Sequence, residues 1–199
     1  MSNAPQPKSV TSELSDRAQG NWTLPNALTV LRIFLVPILV VFLLTEYTMV
    51  GLMVFIVASL TDWFDGYLAR KRKQVTTLGQ LLDPIADKLL VSAAFISLVE
   101  LDLAPAWMVV IIIGRELAIS GLRILASDQG VKIPASSLAK YKTTVQMVTI
   151  VLLISTPFLG EYYYLGEVGL WLVVVLSLFS AGQYFANSWK VLGLGGDTA

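Results

Sequence analysis

The stretch DWFDGYLARKRKQVTTLGQLLDPIAD, residues 62–87, places four aspartates, Asp62, Asp65, Asp83 and Asp87, at the inner edges of two long apolar segments. Asp62 and Asp65 are three residues apart and Asp83 and Asp87 four apart. On helices, each pair therefore projects from one face. The connection between the pairs is short and carries Arg70, Lys71, Arg72 and Lys73, so the two segments are expected to run antiparallel as neighbours with both pairs at one depth. Four carboxylates then converge between two helices.

Working outward, the chain is apolar on a scale that soluble domains do not reach. Of its 199 residues 55% are hydrophobic and 14% charged, and the mean hydropathy is +0.70, which reads as an integral membrane protein. Six windows of bilayer-spanning length can be drawn, at 24–44, 48–69, 81–101, 106–127, 138–158 and 168–189. The expected fold class is all-α, a polytopic membrane protein built as a six-transmembrane-helix bundle. Residues 22–190 form its single domain, between a polar tail or short surface helix at 1–21 and a short tail at 191–199. A cleavable signal peptide is not expected, because no charged start leads into a short apolar run.

Net charge is zero, but the signs are segregated. Connections at 45–47, 101–105 and 159–167 contain no Lys or Arg, whereas the others hold Arg70, Lys71, Arg72, Lys73, Lys132, Lys140 and Lys142. By the positive-inside rule the basic connections and both termini face the cytoplasm, in a multi-pass protein of the cell inner membrane. Glu46, Glu100, Asp102, Glu161 and Glu167 mark the other side, where Tyr162, Tyr163 and Tyr164 form an interfacial anchor. All four aspartates fall near the cytoplasmic face.

The chain has no histidine and no cysteine. That excludes thiolate ligands, histidine-ligated zinc and an imidazole base, leaving carboxylates, lysines and tyrosines for proton transfer. Four clustered carboxylates without a counter-ion would repel one another and hold protons. Two divalent cations would cancel the charge, and an all-oxygen donor set suits Mg²⁺, with Mn²⁺ possible. Such a pair clamps the entering and leaving oxygens of an in-line phosphoryl displacement. The bland alternative is that the aspartates cap helices or pair with nearby cations; Asp83, followed by Pro84, is plausible as a cap on its own. Gly66 and Gly79 admit either a ligand or a closely packed helix.

Taken together, Asp62, Asp65, Gly66, Ala69, Arg70, Gly79, Asp83 and Asp87 resemble, at every fixed position, the signature of the CDP-alcohol phosphatidyltransferase family. The resemblance continues through Pro25, Asn26, Leu28, Thr29 and Arg32, and through Ile113 to Glu116, Ser120 to Arg123, Lys140, Lys142, Thr143 and Gln146. It is similar in particular to the branch of the family that uses glycerol 3-phosphate as acceptor. It implies a six-helix membrane enzyme, usually a homodimer in the lipid bilayer, that moves a phosphatidyl group from CDP-diacylglycerol to an alcohol and releases CMP.

By the same resemblance Asp62 and Asp83 bridge both metal ions, Asp65 completes the first and Asp87 the second, and Asp87 is also the general base. Gly66, Arg70 and Thr76, with Asn26, Thr29 and Arg32, border the CDP-diacylglycerol; Arg32 could instead snorkel to the interface. Arg115, Arg123, Lys140 and Lys142 would hold the acceptor's phosphate, for which glycerol 3-phosphate fits, or else anchor the inner interface. Glu116 pairs with Arg115 or is purely structural. A nucleic-acid partner is not expected. Sister reactions, with phosphatidylglycerol or inositol phosphate as acceptor, share the metal site, and an ion-coupled transporter is the rival of another class.

Overall fold

A computed structural model describes the backbone of residues 24–45, 47–72, 77–128 and 137–191, and their side chains except at 24–25, 62–72, 77–78, 80–81, 127–128, 137–140 and 187–191. Long apolar stretches can satisfy their backbone within a bilayer only as helices here, because strands would need a closed barrel. The described chain is accordingly helical: α1 (Leu24–Leu43), α2 (Thr48–Arg72), α3 (Thr77–Glu100), α4 (Ala106–Asp128), α5 (Ser137–Ile154) and α6 (Tyr164–Val191). Two 3-10 turns, Thr156–Phe158 and Gly160–Tyr162, join the last two. The architecture is an all-α, six-helix membrane bundle. Asn26–Leu43 and Gly160–Ala186 are apolar enough to cross on their own, whereas α2 to α5 carry the charges that interrupt their hydropathy.

Helix ends differ from the expected spans where hydrogen bonding outruns hydropathy. α3 begins at Thr77 and α6 at Tyr164, each about one turn before its apolar window. α5 stops at Ile154, and Pro157 explains why: it has no N–H to continue the helical ladder, and the chain goes on as a 3-10 turn. Pro84 lies well inside α3, so Asp83 is an interior helical residue and the cap reading of that aspartate is overturned.

The core draws on all six helices, with Leu39, Phe55, Phe95, Ile112, Ile150 and Val173 fully buried. Large apolar side chains also face outward on every helix, among them Phe34, Met53, Ile96, Val110, Val148 and Phe179. In water such a belt would be a liability; against lipid tails it costs nothing. α1 packs broadly on both α2 and α3, α6 packs on α5 and α4, and the direct contact between α2 and α3 is slight among the described residues. The two aspartate-bearing helices thus lean on α1 as a common support. Close approach of α5 and α6 depends on glycine: a Cβ on Gly169 would stand 2.7 Å from Thr149 Oγ1, and one on Gly166 2.8 Å from Leu153 Cδ2.

Candidate active site

Asn26, Thr29 and Arg32 recur every three residues, so they share one face of α1, and all three are buried. Thr29 Oγ1 donates a hydrogen bond to Asp83 Oδ1 at 2.5 Å, tying that face to α3. Arg32 is 0% exposed, which removes the snorkelling alternative: its guanidinium stays within the bundle. Its charge acts on Asp87, as do those of Lys88 and Lys142. Asp87 lies one helical turn beyond Asp83 on the same side of α3. The first and third helices therefore present two carboxylates, one threonine hydroxyl and one buried cation at a single end of the bundle.

A second set of charges meets this one from α4 and α5. Lys142, 1% exposed, donates its Nζ to Glu116 Oε1. Arg115 Nη1 approaches the same carboxylate oxygen at 3.4 Å, and Arg115 Nη2 donates to Ser180 Oγ on α6 at 2.5 Å. Glu116 is thus shared by two cations, and the expected pairing with Arg115 extends to Lys142. Arg123, two turns further along α4, is exposed, yet close enough for its charge to act on that of Arg115. A cavity of about 20 Å³ among Asp87, Lys88, Ser92, Glu116, Thr143 and Gln146 joins the two sets, and it has room for one water.

Of the remaining expected site residues, Asp62, Asp65, Gly66 and Arg70 lie on the continuous helix α2 and Lys140 on α5. The side chains of Asp62, Asp65, Arg70 and Lys140, and Thr76 as a whole, lie outside the described residues. Two participants escaped the sequence reading. Lys88 sits beside Asp87 and donates to the Pro84 carbonyl at 3.3 Å; as an ionisable group within a span it carried the signal that singles out such residues. Ser180 carried none, since serine is common in membrane helices.

The carboxylates of Asp83 and Asp87 offer only oxygen, the donor type that suits a hard divalent cation, and Asp62 and Asp65 lie three residues apart on α2. Among the described residues no three carboxylates form a cluster. A cavity of about 700 Å³ lies at the other end of the bundle against Asp102, Trp107, Tyr163, Glu167 and Trp171. None of the candidate site residues lines it, and size alone is no guide to the chemistry here.

Residues 22–179 match the family described as CDP-alcohol phosphatidyltransferase. The chain is 41% identical over 188 residues, 86% of its length and 97% of the relative's, to the CDP-diacylglycerol–glycerol-3-phosphate 3-phosphatidyltransferase of Bacillus subtilis (strain 168). It is 38% identical over 168 residues, 81% of its length and 94% of the relative's, to the protein of that name in Rickettsia typhi. With the one in Pseudomonas fluorescens it shares 37% over 179 residues, 85% and 91% of the two chains. The family match runs from the buried face of α1 into α6 and so spans both sets of charges, and on that basis the chain belongs to the CDP-alcohol phosphatidyltransferase family.

Proposed function

We propose that this protein is a divalent-metal-dependent enzyme that transfers the phosphatidyl group of CDP-diacylglycerol to glycerol 3-phosphate, giving phosphatidylglycerophosphate and CMP. The observation that carries this reading is the meeting at Asp87 of a carboxylate-bearing face from α1 and α3 with the Lys142–Glu116 pair of α5 and α4. One side suits a metal-bound diphosphate and the other an anionic acceptor. The relatives' shared name supplies the two substrates. We also assign the basic end to the cytoplasm and the working unit to a homodimer in the bilayer.

In this reading Asp62, Asp65, Asp83 and Asp87 hold two Mg²⁺ ions, or Mn²⁺, with Thr29 keeping Asp83 in place. Bound there, the ions supply Lewis-acid stabilisation of the charge that develops on the phosphate oxygens. Arg32, Arg70, Asn26, Gly66 and Thr76 bind the cytidine diphosphate portion. Arg115, Lys142, Lys140 and Arg123 bring the acceptor's phosphate to the far side of Asp87. Asp87 accepts the proton of the acceptor's primary hydroxyl as that oxygen bonds to the lipid-bearing phosphorus. The bond from that phosphorus to the oxygen of CMP breaks, and CMP departs with the electron pair.

The test is direct. Purified protein in detergent with CDP-diacylglycerol, Mg²⁺ and labelled glycerol 3-phosphate should form labelled lipid and release CMP, and chelation should stop both. Labelled lipid formed equally well in chelator would refute the metal dependence. Transfer only to phosphatidylglycerol or inositol phosphate would move the protein to a sister reaction.

A further inference from the structure

The seam between α4 and α6 contains polar groups that the proposed reaction has not used. Ser177, Ser180 and Tyr184 are buried and fall at intervals of three and four on α6, so their side chains share one face. Ser180 accepts from Arg115 Nη2, which places that face towards α4. Arg115 Nε, Ser177 Oγ and Tyr184 Oη are buried and have no hydrogen-bond partner among the described residues. In the interior of a membrane bundle each such group is costly if nothing ever pairs with it. Ser177 and Tyr184 lie one turn to either side of Ser180, which holds the guanidinium, and with Arg115 Nε they form a set of unused hydrogen-bonding groups matched to a small oxygen-rich anion.

Arg115 is unusually constrained. Nη1 is directed to Glu116 and Nη2 to Ser180, so two of its three nitrogens are fixed and the third, Nε, is left to bind. We propose that α6 forms a third wall of the acceptor site, in which Ser180 positions the Arg115 guanidinium and the hydroxyls of Ser177 and Tyr184 take oxygens of the acceptor. The inference rests on the reading of Arg115 as an acceptor-binding residue. Ser180 is a positioning residue: it acts by holding Arg115. A guanidinium fixed in advance binds a phosphate without first giving up its rotamer freedom, which favours acceptors that carry a phosphate monoester over neutral alcohols.

Steady-state kinetics with separately varied CDP-diacylglycerol and glycerol 3-phosphate test this on the wild type, Ser180→Ala, Ser180→Thr, Arg115→Lys and the double variant Ser180→Ala/Arg115→Lys. Ser180→Ala is expected to raise the acceptor KM about tenfold, the effect of one lost charge-assisted hydrogen bond, with donor KM and kcat held within about twofold. Ser180→Thr keeps the hydroxyl and restores the acceptor KM. In the Arg115→Lys background the serine change adds nothing, because its partner is gone. Tyr184→Phe and Ser177→Ala each raise the acceptor KM about threefold, and these carry the test if Ser180→Ala does not fold. An unchanged acceptor KM in Ser180→Ala, or equal rises for both substrates, overturns the inference while leaving the wild-type reaction standing. Unchanged values in both Tyr184→Phe and Ser177→Ala overturn the wall. Failure of the wild type to use any phosphate-bearing acceptor sinks the underlying reading and this inference with it.

Discussion

The two ends of the bundle treat charge in opposite ways. At the acidic end Glu100, Asp102, Glu161 and Glu167 are all exposed, where a carboxylate keeps its hydration and costs nothing to maintain. At the basic end Arg32 and Lys142 are buried, and Asp87, Lys88, Arg115 and Glu116 are at least partly covered. Burial of an ion costs several kcal/mol unless a partner offsets it. A fold that meets this cost at one end and avoids it at the other marks the first as the working end. A cavity of about 700 Å³ lies at the acidic end, away from the buried charges, so an open cavity and charge burial are found at opposite ends of the described residues, and the chemistry follows charge burial.

The sharpest way to break this contrast is at Asp87. Asp87→Asn preserves shape and removes the base, and its turnover is expected to fall on the order of 10³-fold. Donor binding should persist, because Asp62, Asp65 and Asp83 are untouched. CMP release measured with saturating donor separates the two effects, and appreciable turnover in the variant would remove Asp87 from the role of base.

Next in size comes the shared carboxylate. Glu116→Ala leaves Lys142 buried with its partner deleted, and a buried pair broken from one side loses about 3 kcal/mol. Thermal unfolding in detergent should show it. The double change Glu116→Gln/Lys142→Met removes both charges and should recover most of the loss; a double variant as unstable as the single one would mean that the pair contributes more than mutual neutralisation.

Much of this organisation is legible in the sequence, and the reasons are physical. Helix positions follow from bilayer thickness, so each of the six described helices begins or ends within a residue or two of an apolar window. The face shared by Asn26, Thr29 and Arg32 follows from helical periodicity. Partnership across helices is different. Nothing in the spacing of α2 and α3 reveals that α1 carries the main contact with both, because packing order depends on side-chain shape over the whole bundle. Asp83 reads as a cap when Pro84 is taken as a start signal, and only the hydrogen-bonded turn from Thr77 corrects it. Ser180 owes its place to a guanidinium 65 residues away in sequence, a relation that no local pattern encodes.

A smaller effect is expected at Arg123. It is exposed, two turns from Arg115 on α4, so screening by solvent and salt should blunt its contribution. Arg123→Ala is expected to raise the acceptor KM about threefold, and less at higher ionic strength. An unchanged KM at low salt would remove the residue from the site, whereas a loss as large as that at Arg115 would mean direct contact.

The smallest effects belong to the acidic end, and they test the contrast from its other side. Glu167→Gln removes an exposed charge and should leave both kinetic constants within about twofold and the melting temperature within about 2 °C. Asp102 has a φ of 56°, a left-handed conformation that asparagine also accepts and a β-branched side chain does not. Asp102→Asn should therefore be silent, while Asp102→Val should lower the melting temperature without altering either KM. If removing the charge at Asp102 alone slowed turnover, the acidic end would share in the reaction, and exposure would no longer separate the working end from the other.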